Sequence, residues 1–284
     1  MTGLGALAFL SPLWLVALAA LPALWLLLRG TPPAPREVSF PAIAILLPPS
    51  EGKASGGTRP NWRSNSGIFG KELSRRRESV IEALRAVDGG DGKLLGVAGA
   101  NLAAARAANL ALMGSTTLPA SSRYTGVVWD HLAPSTMSAA VRRRAGSSVL
   151  VVSGLLGLVA FDDPVPDYKL KIGATLPGLG KLATWWREPL STVMNERLTG
   201  CWVIDLLPNE HRAAWNPSPG DYADAVSVTF VEKSGQVAGH DAKAAKGSLA
   251  RHLLESKSAP DVALRAWKHP RFRLEIREVS RGRN

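Results

Sequence analysis

The chain has 284 residues, of which 46% are hydrophobic, so it is long enough to bury a sizeable core and is not a disordered tail. Its formal charge of +11 predicts a partner that carries phosphate or anionic lipid, and nucleic acid is the first of these to consider. Cys201 is the single cysteine, which excludes an internal disulfide and a thiolate zinc site, and the five histidines do not pair at metal-ligand spacing. We therefore expect neither a structural metal nor a cofactor.

The chain opens with a long apolar segment. Residues 4–28 comprise 25 positions without a charged side chain, enough at about 1.5 Å per residue to cross about 30 Å of hydrocarbon. No basic residue precedes the segment and no small-residue cleavage site follows it, which favours a membrane helix over a cleaved signal peptide. Because Arg29 and Arg36 follow it, the positive-inside rule predicts a single pass of the inner membrane with the main domain in the cytoplasm. A wholly cytoplasmic location is the alternative.

The remaining chain predicts one compact domain. We assign residues 1–30 to the transmembrane helix, 31–41 to a proline-rich linker and 42–284 to the domain. Buried strands are predicted over 42–47, 149–152 and 202–206, an edge strand over 272–279, and a hairpin from 225–232 and 236–241. Helices are predicted over 70–87, 101–113 and 243–256. This mixed order indicates an α+β fold.

A polar loop follows the first predicted strand. Ser50 and Lys53 have the Ser-x-x-Lys spacing of acyl-transfer serine enzymes, but that chemistry needs the pair on a helix together with further motifs that are absent from the sequence. The loop is not a Walker loop either, because the position five residues before Gly52 is Leu47 instead of glycine. We expect Ser50 and Lys53 to bind phosphate or a small anionic ligand at the end of the strand.

A second motif has the spacing of a helix-hairpin-helix turn. In the sequence Leu-Pro-Gly-Leu-Gly-Lys, Gly178 and Gly180 would let the main chain approach a phosphate, and Lys181 would add a charge. Such a turn contacts the nucleic-acid backbone and reads no bases, so binding would be independent of sequence and sensitive to salt. The alternative is an ordinary Pro-Gly loop before a core helix.

Two lysines stand where a helix disfavours them. Lys243 and Lys246 fall in the first turns of the helix predicted over 243–256, where a cation opposes the macrodipole by a few tenths of a kcal/mol. We interpret this as an anion site, with Gly247 keeping that face open. A solvated basic face is the alternative. Asp162, Asp163 and Asp167 are close enough for a cation site, although nearby prolines favour a turn-capping role.

Five segments, in order, resemble the YaaA peroxide-stress family. They are LLPPSEGK (46–53), RYTGVVWDHL (123–132), VSGLLGLVAFDDPVPDYKLKIGATL (152–176), VIDL (203–206) and DAKAAKGSLARHL (241–253). The resemblance implies a compact α+β domain with a basic cleft, binding of double-stranded DNA and a role under peroxide stress. Within these segments it also selects Tyr124, Thr125, Lys169 and Lys171 as polar residues of the cleft. An arginine usual in the family after Gly-Leu-x-Gly-Leu-Val is replaced here by Ala160 or Phe161.

The first 45 residues resemble a different family, the N-terminal membrane segment of BatA-type aerotolerance proteins. The sequence FLSPLWLVALAALPALWLLLRGTPPAPREVSFPAI carries this likeness, which stops near residues 41–45. The chain therefore reads as two families joined, and the first of them implies contact with a membrane.

Two functions follow from these patterns. The first is a membrane-tethered protein that protects the cell under peroxide stress by binding the phosphates of double-stranded DNA or another phosphate-bearing ligand. The contacts would come from the helix-hairpin-helix turn with Gly178 and Gly180, from Lys181, Lys243 and Lys246, and from the arginine run 142–144. The second is an enzyme acting on a nucleotide or nucleic-acid substrate, with Ser50, Lys53, Tyr124 and Lys246 around a pocket. Convergence of those four side chains favours the second, and lysines spread over an open convex face favour the first.

Overall fold

The computed structural model describes residues 42–233 and 242–279, together with the isolated positions Leu21, Pro22 and Trp25. The chain divides into two compact units, Met1–Ser39 and Phe40–Asn284. In the first unit the three described residues are helical, and the rest of the predicted transmembrane segment lies outside the described residues. Within the described part of the chain, no helix is long and apolar enough to cross a membrane.

The strands of the second unit are β1 (Ile43–Leu47), β2 (Leu118–Pro119), β3 (Val149–Ser153), β4 (Gly157–Ala160), β5 (Pro164–Val165), β6 (Thr175–Leu176), β7 (Gly180–Lys181), β8 (Trp202–Asp205), β9 (Asp224–Glu232) and β10 (Phe272–Glu278). Six of them form one sheet in the order β10-β9-β8-β1-β3-β4. β1 is parallel to β3 and β8, and β8 is parallel to β9. β4 and β10 pair antiparallel at the two edges.

The helices are α1 (Gly70–Ala86), α2 (Gly92–Leu95), α3 (Gly99–Leu110), α4 (Ala120–Arg123), α5 (Val127–Leu132), α6 (Ala139–Ser148), α7 (Leu182–Leu198), α8 (Asn209–Arg212), α9 (Ala242–Glu255) and α10 (Pro260–Ala266). Short 3-10 turns lie at Pro134–Thr136 and Pro219–Asp221. In α1, Leu73, Val80 and Leu84 are buried at helical spacing, so one face of the helix packs on the core. Every position of β1 and β3 is buried, as expected for parallel strands covered on both faces.

Gly247 places α9 against α5, because a Cβ at this position would lie 2.1 Å from the main-chain oxygen of Val128. A glycine is needed wherever two backbones approach so closely. Gly247 is therefore a packing residue, and the prediction that it keeps an anion-binding face open was wrong. The close approach brings Lys243 and Lys246 of α9 beside the loop that precedes α5.

The mixed α and β content of a single domain is confirmed, but the middle of the sheet is parallel. The strands predicted over 42–47, 149–152, 202–206 and 272–279 are present with shifts of one residue or less at each end. β9 pairs antiparallel with β10. The predicted hairpin partner 236–241 lies outside the described residues.

The helix-hairpin-helix-like element is corrected by the structure. Thr175–Leu176 and Gly180–Lys181 form a small antiparallel ladder, β6 with β7, and α7 begins directly after it. The residues just before β6 form no helix, so the first helix of that motif is missing. The structure instead matches the alternative that the sequence left open, a Pro-Gly loop before a core helix.

Candidate functional site

A pocket of about 500 Å³ lies at the carboxyl ends of β1 and β8. β1 and β8 lie side by side in the sheet. The next strand of the sheet after β1, which is β3, lies on the far side of β1, and the next after β8, which is β9, lies on the far side of β8, so the ends of β1 and β8 frame a topological switch point. In open parallel sheets such crevices are the usual ligand sites. The pocket is lined by residues 48–53, 125–129, 169–172, Pro208, Glu210, His211, Lys243 and Lys246.

The loop after β1 forms one wall and is fixed by hydrogen bonds. Ser50 Oγ donates to the main-chain oxygen of Gly52 and accepts from the main-chain N–H of Thr125 at 2.9 Å. The main-chain N–H of Ala54 donates to the oxygen of Arg123 at 2.9 Å. Arg123 is fully buried, and its guanidinium donates to the oxygens of Val165 and Gly56 at 3.1 and 2.7 Å. These bonds hold Ser50 and Lys53 rigidly at the end of the strand.

Lys53 extends across two aromatic rings. Its Nζ lies 4.0 Å from the ring centre of Tyr168 and 5.7 Å from that of Tyr124, and it donates to the main-chain oxygen of Ser50 at 3.1 Å. Burial, together with the nearby charge of Lys169, lowers the pKa of Lys53 to about 7. The amine is therefore neutral in a large fraction of molecules at physiological pH.

Three hydroxyl groups form a buried chain beside Lys53. The oxygens of Tyr124 and Tyr168 are 3.1 Å apart, and Ser153 Oγ is 2.7 Å from the oxygen of Tyr168. Burial raises the pKa of Tyr168 to about 12 and that of Tyr124 well above its ordinary value. Both phenols are thus neutral at physiological pH. Tyr124 lies beneath the pocket and does not line it.

Glu51 holds the two lysines of the 169–172 segment. Its carboxylate lies 3.9 Å from Lys169 Nζ and 3.8 Å from Lys171 Nζ. Lys169 Nζ also donates to the main-chain oxygen of Glu51 at 3.2 Å. One carboxylate shared by two ammonium groups leaves net positive charge at this wall.

The opposite wall combines the end of β8 with the start of α9. Lys246 Nζ donates to the main-chain oxygen of Leu206 at 2.7 Å. Burial lowers the pKa of Lys246 to about 8, an effect that the carboxylate of Asp205 opposes. Asp205 is itself fully buried, and it accepts from the Nε of Arg212 at 2.5 Å and from the N–H of Leu207 at 2.8 Å. Lys243 is exposed at the rim.

His211 completes this wall in its neutral form. Burial lowers the pKa of His211 to about 4, and the charge of Lys246 contributes to the shift. Its Nδ1 is buried and has no hydrogen-bond partner among the described residues. A neutral imidazole gives the pocket a polar group that carries no charge.

Five lysines from three separate segments therefore line the pocket together with only two carboxylates, Glu51 and Glu210. Seven of the residues that the sequence predicts to bind nucleic acid or an anion line the pocket: Ser50, Lys53, Thr125, Lys169, Lys171, Lys243 and Lys246. The arrangement suits an anionic ligand. Apolar lining from Pro48, Trp129 and Ile172 suits a ligand that also has a flat or apolar part.

The residues of the predicted helix-hairpin-helix turn are not part of this pocket. Gly178, Gly180 and Lys181 are absent from its lining, and Lys181 is exposed. Two arginines of the run 142–144 already have partners within the domain. Arg142 pairs with Asp162 at 2.8 Å, and Arg144 donates to the main-chain oxygen of Ser256.

Asp162 and Asp163 have partners within the domain, Asp162 in its ion pair with Arg142. Asp163 accepts from the main-chain N–H groups of Ile68 and Ala160 at 3.0 and 2.9 Å, which is the predicted turn-capping role. Among the described residues, no group of three or more histidine, cysteine or acidic side chains is arranged to hold a metal ion.

Sequence reasoning missed the side chains that follow β8. Glu210 and His211 line the pocket, and Asp205 supports Lys246 from beneath. A signal was present, because VIDL was predicted as a buried strand and the residues after such a strand are expected at the ligand-binding edge of a parallel sheet. The parallel pairing of β1 with β8 was not predicted, and so the two strand ends were not brought together.

The fold and the pocket define a class: an α/β domain with a lysine-rich ligand pocket at the switch point of its sheet. The family model described as peroxide stress protein YaaA matches residues 43–277. The chain belongs to this family.

Similar curated proteins match along most of the domain. A UPF0246 protein of Streptomyces coelicolor is 36% identical over 224 residues, which cover 77% of this chain and 85% of the relative. A UPF0246 protein of Corynebacterium efficiens is 33% identical over 228 residues, which cover 78% and 90% of the two chains. A second family model, described as aerotolerance regulator N-terminal, matches residues 1–65 and overlaps the first over 43–65.

Proposed function

We propose that the pocket binds a phosphate-bearing ligand of nucleotide size, and that this binding is the domain's contribution under peroxide stress. The observation that carries the proposal is the convergence of five lysines on one pocket at the switch point of the sheet. Of the four side chains expected to converge if the domain is an enzyme on a nucleotide or nucleic-acid substrate, Ser50, Lys53 and Lys246 line this pocket, and Tyr124 lies beneath it.

Size and lining support a nucleotide over a bare inorganic ion. A volume of about 500 Å³ falls within the range of about 300–1,000 Å³ that is typical of small-molecule sites. The lysines would take the phosphates, while Trp129, Pro48 and Ile172 offer apolar surface to a sugar or base. Neutral His211 provides a hydrogen-bonding group for an uncharged polar atom.

Calorimetric titration tests this proposal. Nucleoside mono-, di- and triphosphates and inorganic phosphate would be titrated at fixed ionic strength into wild type and into Lys169→Gln/Lys171→Gln. The matched control is Lys71→Gln/Lys93→Gln, which removes the same charge from exposed positions outside the pocket. We expect saturable nucleotide binding that weakens at least tenfold in the pocket variant alone. Equal weakening in both variants would mean that general charge attraction, and not the pocket, binds the ligand.

Binding of duplex DNA through its backbone is the second candidate. Gly178 and Gly180 support it, since a Cβ at either position would have no atom within 4 Å and the main chain there is open to approach. Each phosphate contact would contribute about −0.9 to the slope of log affinity against log salt. Lys181→Gln should flatten that slope by about one unit if the hairpin holds DNA. An unchanged slope would remove the hairpin from the interface.

We also propose that the N-terminal segment tethers the domain to the inner membrane. The match of residues 1–65 to the aerotolerance regulator N-terminal model supports this location. Cell fractionation tests it, because a tethered protein stays in the membrane fraction after a high-salt wash. Recovery of the full-length chain in the supernatant without detergent would contradict the tether.

A further inference from the structure

We propose that Lys53 is a nucleophile and forms a covalent imine with a carbonyl group of a phosphate-bearing ligand. The inference rests on the proposed function for the phosphate, which the other lysines of the pocket would hold. It adds a reaction to what is otherwise a binding site, and it names the reactive class of ligand as an aldehyde or ketone.

The surroundings of Lys53 differ from those of an ion-paired lysine. Its Nζ is 4.0 Å from the Tyr168 ring centre, and its hydrogen bond is to a main-chain oxygen, that of Ser50. None of the ion pairs among the described residues includes Lys53. The nearest carboxylate along the chain, Glu51, is shared between Lys169 and Lys171. Among the described residues, Lys53 therefore has no carboxylate within ion-pair distance.

Four charged groups and burial together set the pKa of Lys53. Asp167 and Glu51 favour the ammonium form, whereas Lys169 and Arg123 disfavour it, and burial is the largest influence. The resulting pKa of about 7 leaves the amine about half neutral at pH 7. An ordinary lysine with a pKa of about 10.4 is neutral in roughly one molecule in 2,500 at that pH. Only the neutral amine has the lone pair that attacks a carbonyl carbon.

The remaining lysines of the pocket suit phosphate binding and not attack. Lys169 and Lys171 face Glu51, and Lys243 is exposed at the rim. Lys246 donates to the oxygen of Leu206 at 2.7 Å, and although burial lowers its pKa to about 8, an effect that Asp205 opposes, most of it is charged at pH 7. One pocket thus contains cations for a phosphate and a separate amine placed over aromatic rings.

The step balances without an oxidant or reductant. The lone pair of Lys53 Nζ attacks the carbonyl carbon, and one amine hydrogen moves as a proton from the nitrogen to the carbonyl oxygen to give a neutral carbinolamine. The hydroxyl then leaves as water with the second amine hydrogen, and a carbon–nitrogen double bond remains between Lys53 and the ligand. Water restores the free amine by the reverse route, so the adduct is reversible until a hydride reagent reduces it to a secondary amine.

Pyridoxal 5′-phosphate is a suitable probe because it carries both an aldehyde and a phosphate. The full-length protein would be incubated with the probe at pH values from 6 to 10, reduced briefly with borohydride and mapped by peptide mass spectrometry. We expect Lys53 to be labelled at least tenfold faster at pH 7 than exposed Lys71 and Lys93, with a half-maximal rate near pH 7. Lys53→Arg should lose this fast label and keep the slow ones. Labelling of Lys53 no faster than that of the exposed lysines would overturn the proposal.

Pyridoxal, which lacks the phosphate, separates the two claims. If both hold, pyridoxal labels Lys53 more slowly than the phosphorylated probe, and added inorganic phosphate slows only the phosphorylated probe. Equally fast labelling of Lys53 by both probes supports the amine chemistry and contradicts the phosphate site. Saturable binding of the phosphorylated probe without reduction-trapped label at Lys53 supports the phosphate site and contradicts the nucleophile.

Discussion

The Nζ of Lys246 donates a hydrogen bond of 2.7 Å to the main-chain oxygen of Leu206. This bond joins the first turns of α9 to the residue that follows β8, across the wall of the pocket. Lys246 therefore has a structural partner as well as a place in the ligand site. Lys243, one turn earlier on α9, is exposed at the rim. The two lysines, treated as equivalent from the sequence, are expected to differ when each is replaced.

Single replacements of these lysines test the difference. Lys243→Gln should leave the melting temperature unchanged or slightly raise it, because an exposed cation is removed from a helix start, and it should weaken ligand binding. Lys246→Gln should weaken binding and, near pH 10, where the lowered pKa of Lys246 costs little stability, also lower the free energy of unfolding by about 1 kcal/mol, because the oxygen of Leu206 loses its donor. Thermal melts and calorimetry on the two variants provide the measurements. Equal melting temperatures for the two variants would show that the Leu206 bond does not stabilise the fold.

The depressed pKa of Lys53 gives a pH dependence of stability. Between a folded pKa of about 7 and an unfolded value of about 10.4, the unfolded chain binds the extra proton, so stability rises with pH. Below pH 7 the buried ammonium lowers the free energy of unfolding by its full amount. Above the unfolded pKa the amine is neutral in both states and does not affect stability. Lys53→Met should therefore be stabilised relative to wild type most at pH 6, with an advantage that shrinks towards pH 10. Denaturant unfolding at these pH values is the measurement, and an advantage that grows with pH would contradict the assignment.

Acid sensitivity should trace partly to His211. Its folded pKa of about 4 lies below the ordinary value of about 6.5, so the unfolded chain binds more protons between these limits and stability falls as pH falls through them. His211→Gln removes this titration. The variant should lose less stability than wild type between pH 6.5 and pH 4, as followed by chemical denaturation. Parallel pH profiles for the two proteins would show that His211 is not held neutral.

Arg77 is expected to be the most sensitive arginine of α1. It is 1% exposed, and its guanidinium donates to the main-chain oxygens of Leu156, Leu158, Ser64 and Ser66. Arg77→Met leaves these acceptors without their donor and should lower the free energy of unfolding by about 3–5 kcal/mol. Arg75→Met on the same helix is the control, because Arg75 is exposed. Similar unfolding midpoints for the two variants would contradict a structural role for Arg77.

The sequence was most informative where local pattern decides structure. β1 was predicted from its β-branched apolar run and two following prolines, and the loop after it was assigned to anion binding because Ser50 and Lys53 stand at the end of a strand. Seven of the eleven predicted binding residues line the pocket, and they come from separate segments named by the family motifs. Local motifs thus placed these seven residues around one pocket, and their role in binding stays a prediction.

The rest depended on long-range packing that spacing does not encode. The turn with Gly178 and Gly180 has the glycine spacing of a helix-hairpin-helix, yet the chain before it is extended and pairs as a short ladder. Gly247 was assigned to ligand access, but a Cβ at this position would lie only 2.1 Å from the main-chain oxygen of Val128. The surroundings that perturb Lys53 and His211 likewise come from distant parts of the chain, since the ring of Tyr168 lies beside Lys53 and Lys246 of α9 acts on His211.

Replacement of Lys243 and Lys181 by glutamine in separate variants tests the central claim most directly. Both lysines are exposed, and each variant loses one positive charge, but only Lys243 lines the pocket. Calorimetric titration with a nucleoside triphosphate at fixed salt should show affinity reduced severalfold in Lys243→Gln and unchanged in Lys181→Gln. Unchanged affinity in Lys243→Gln, with a loss in Lys181→Gln, would contradict the assignment of the phosphate site to the pocket at the ends of β1 and β8.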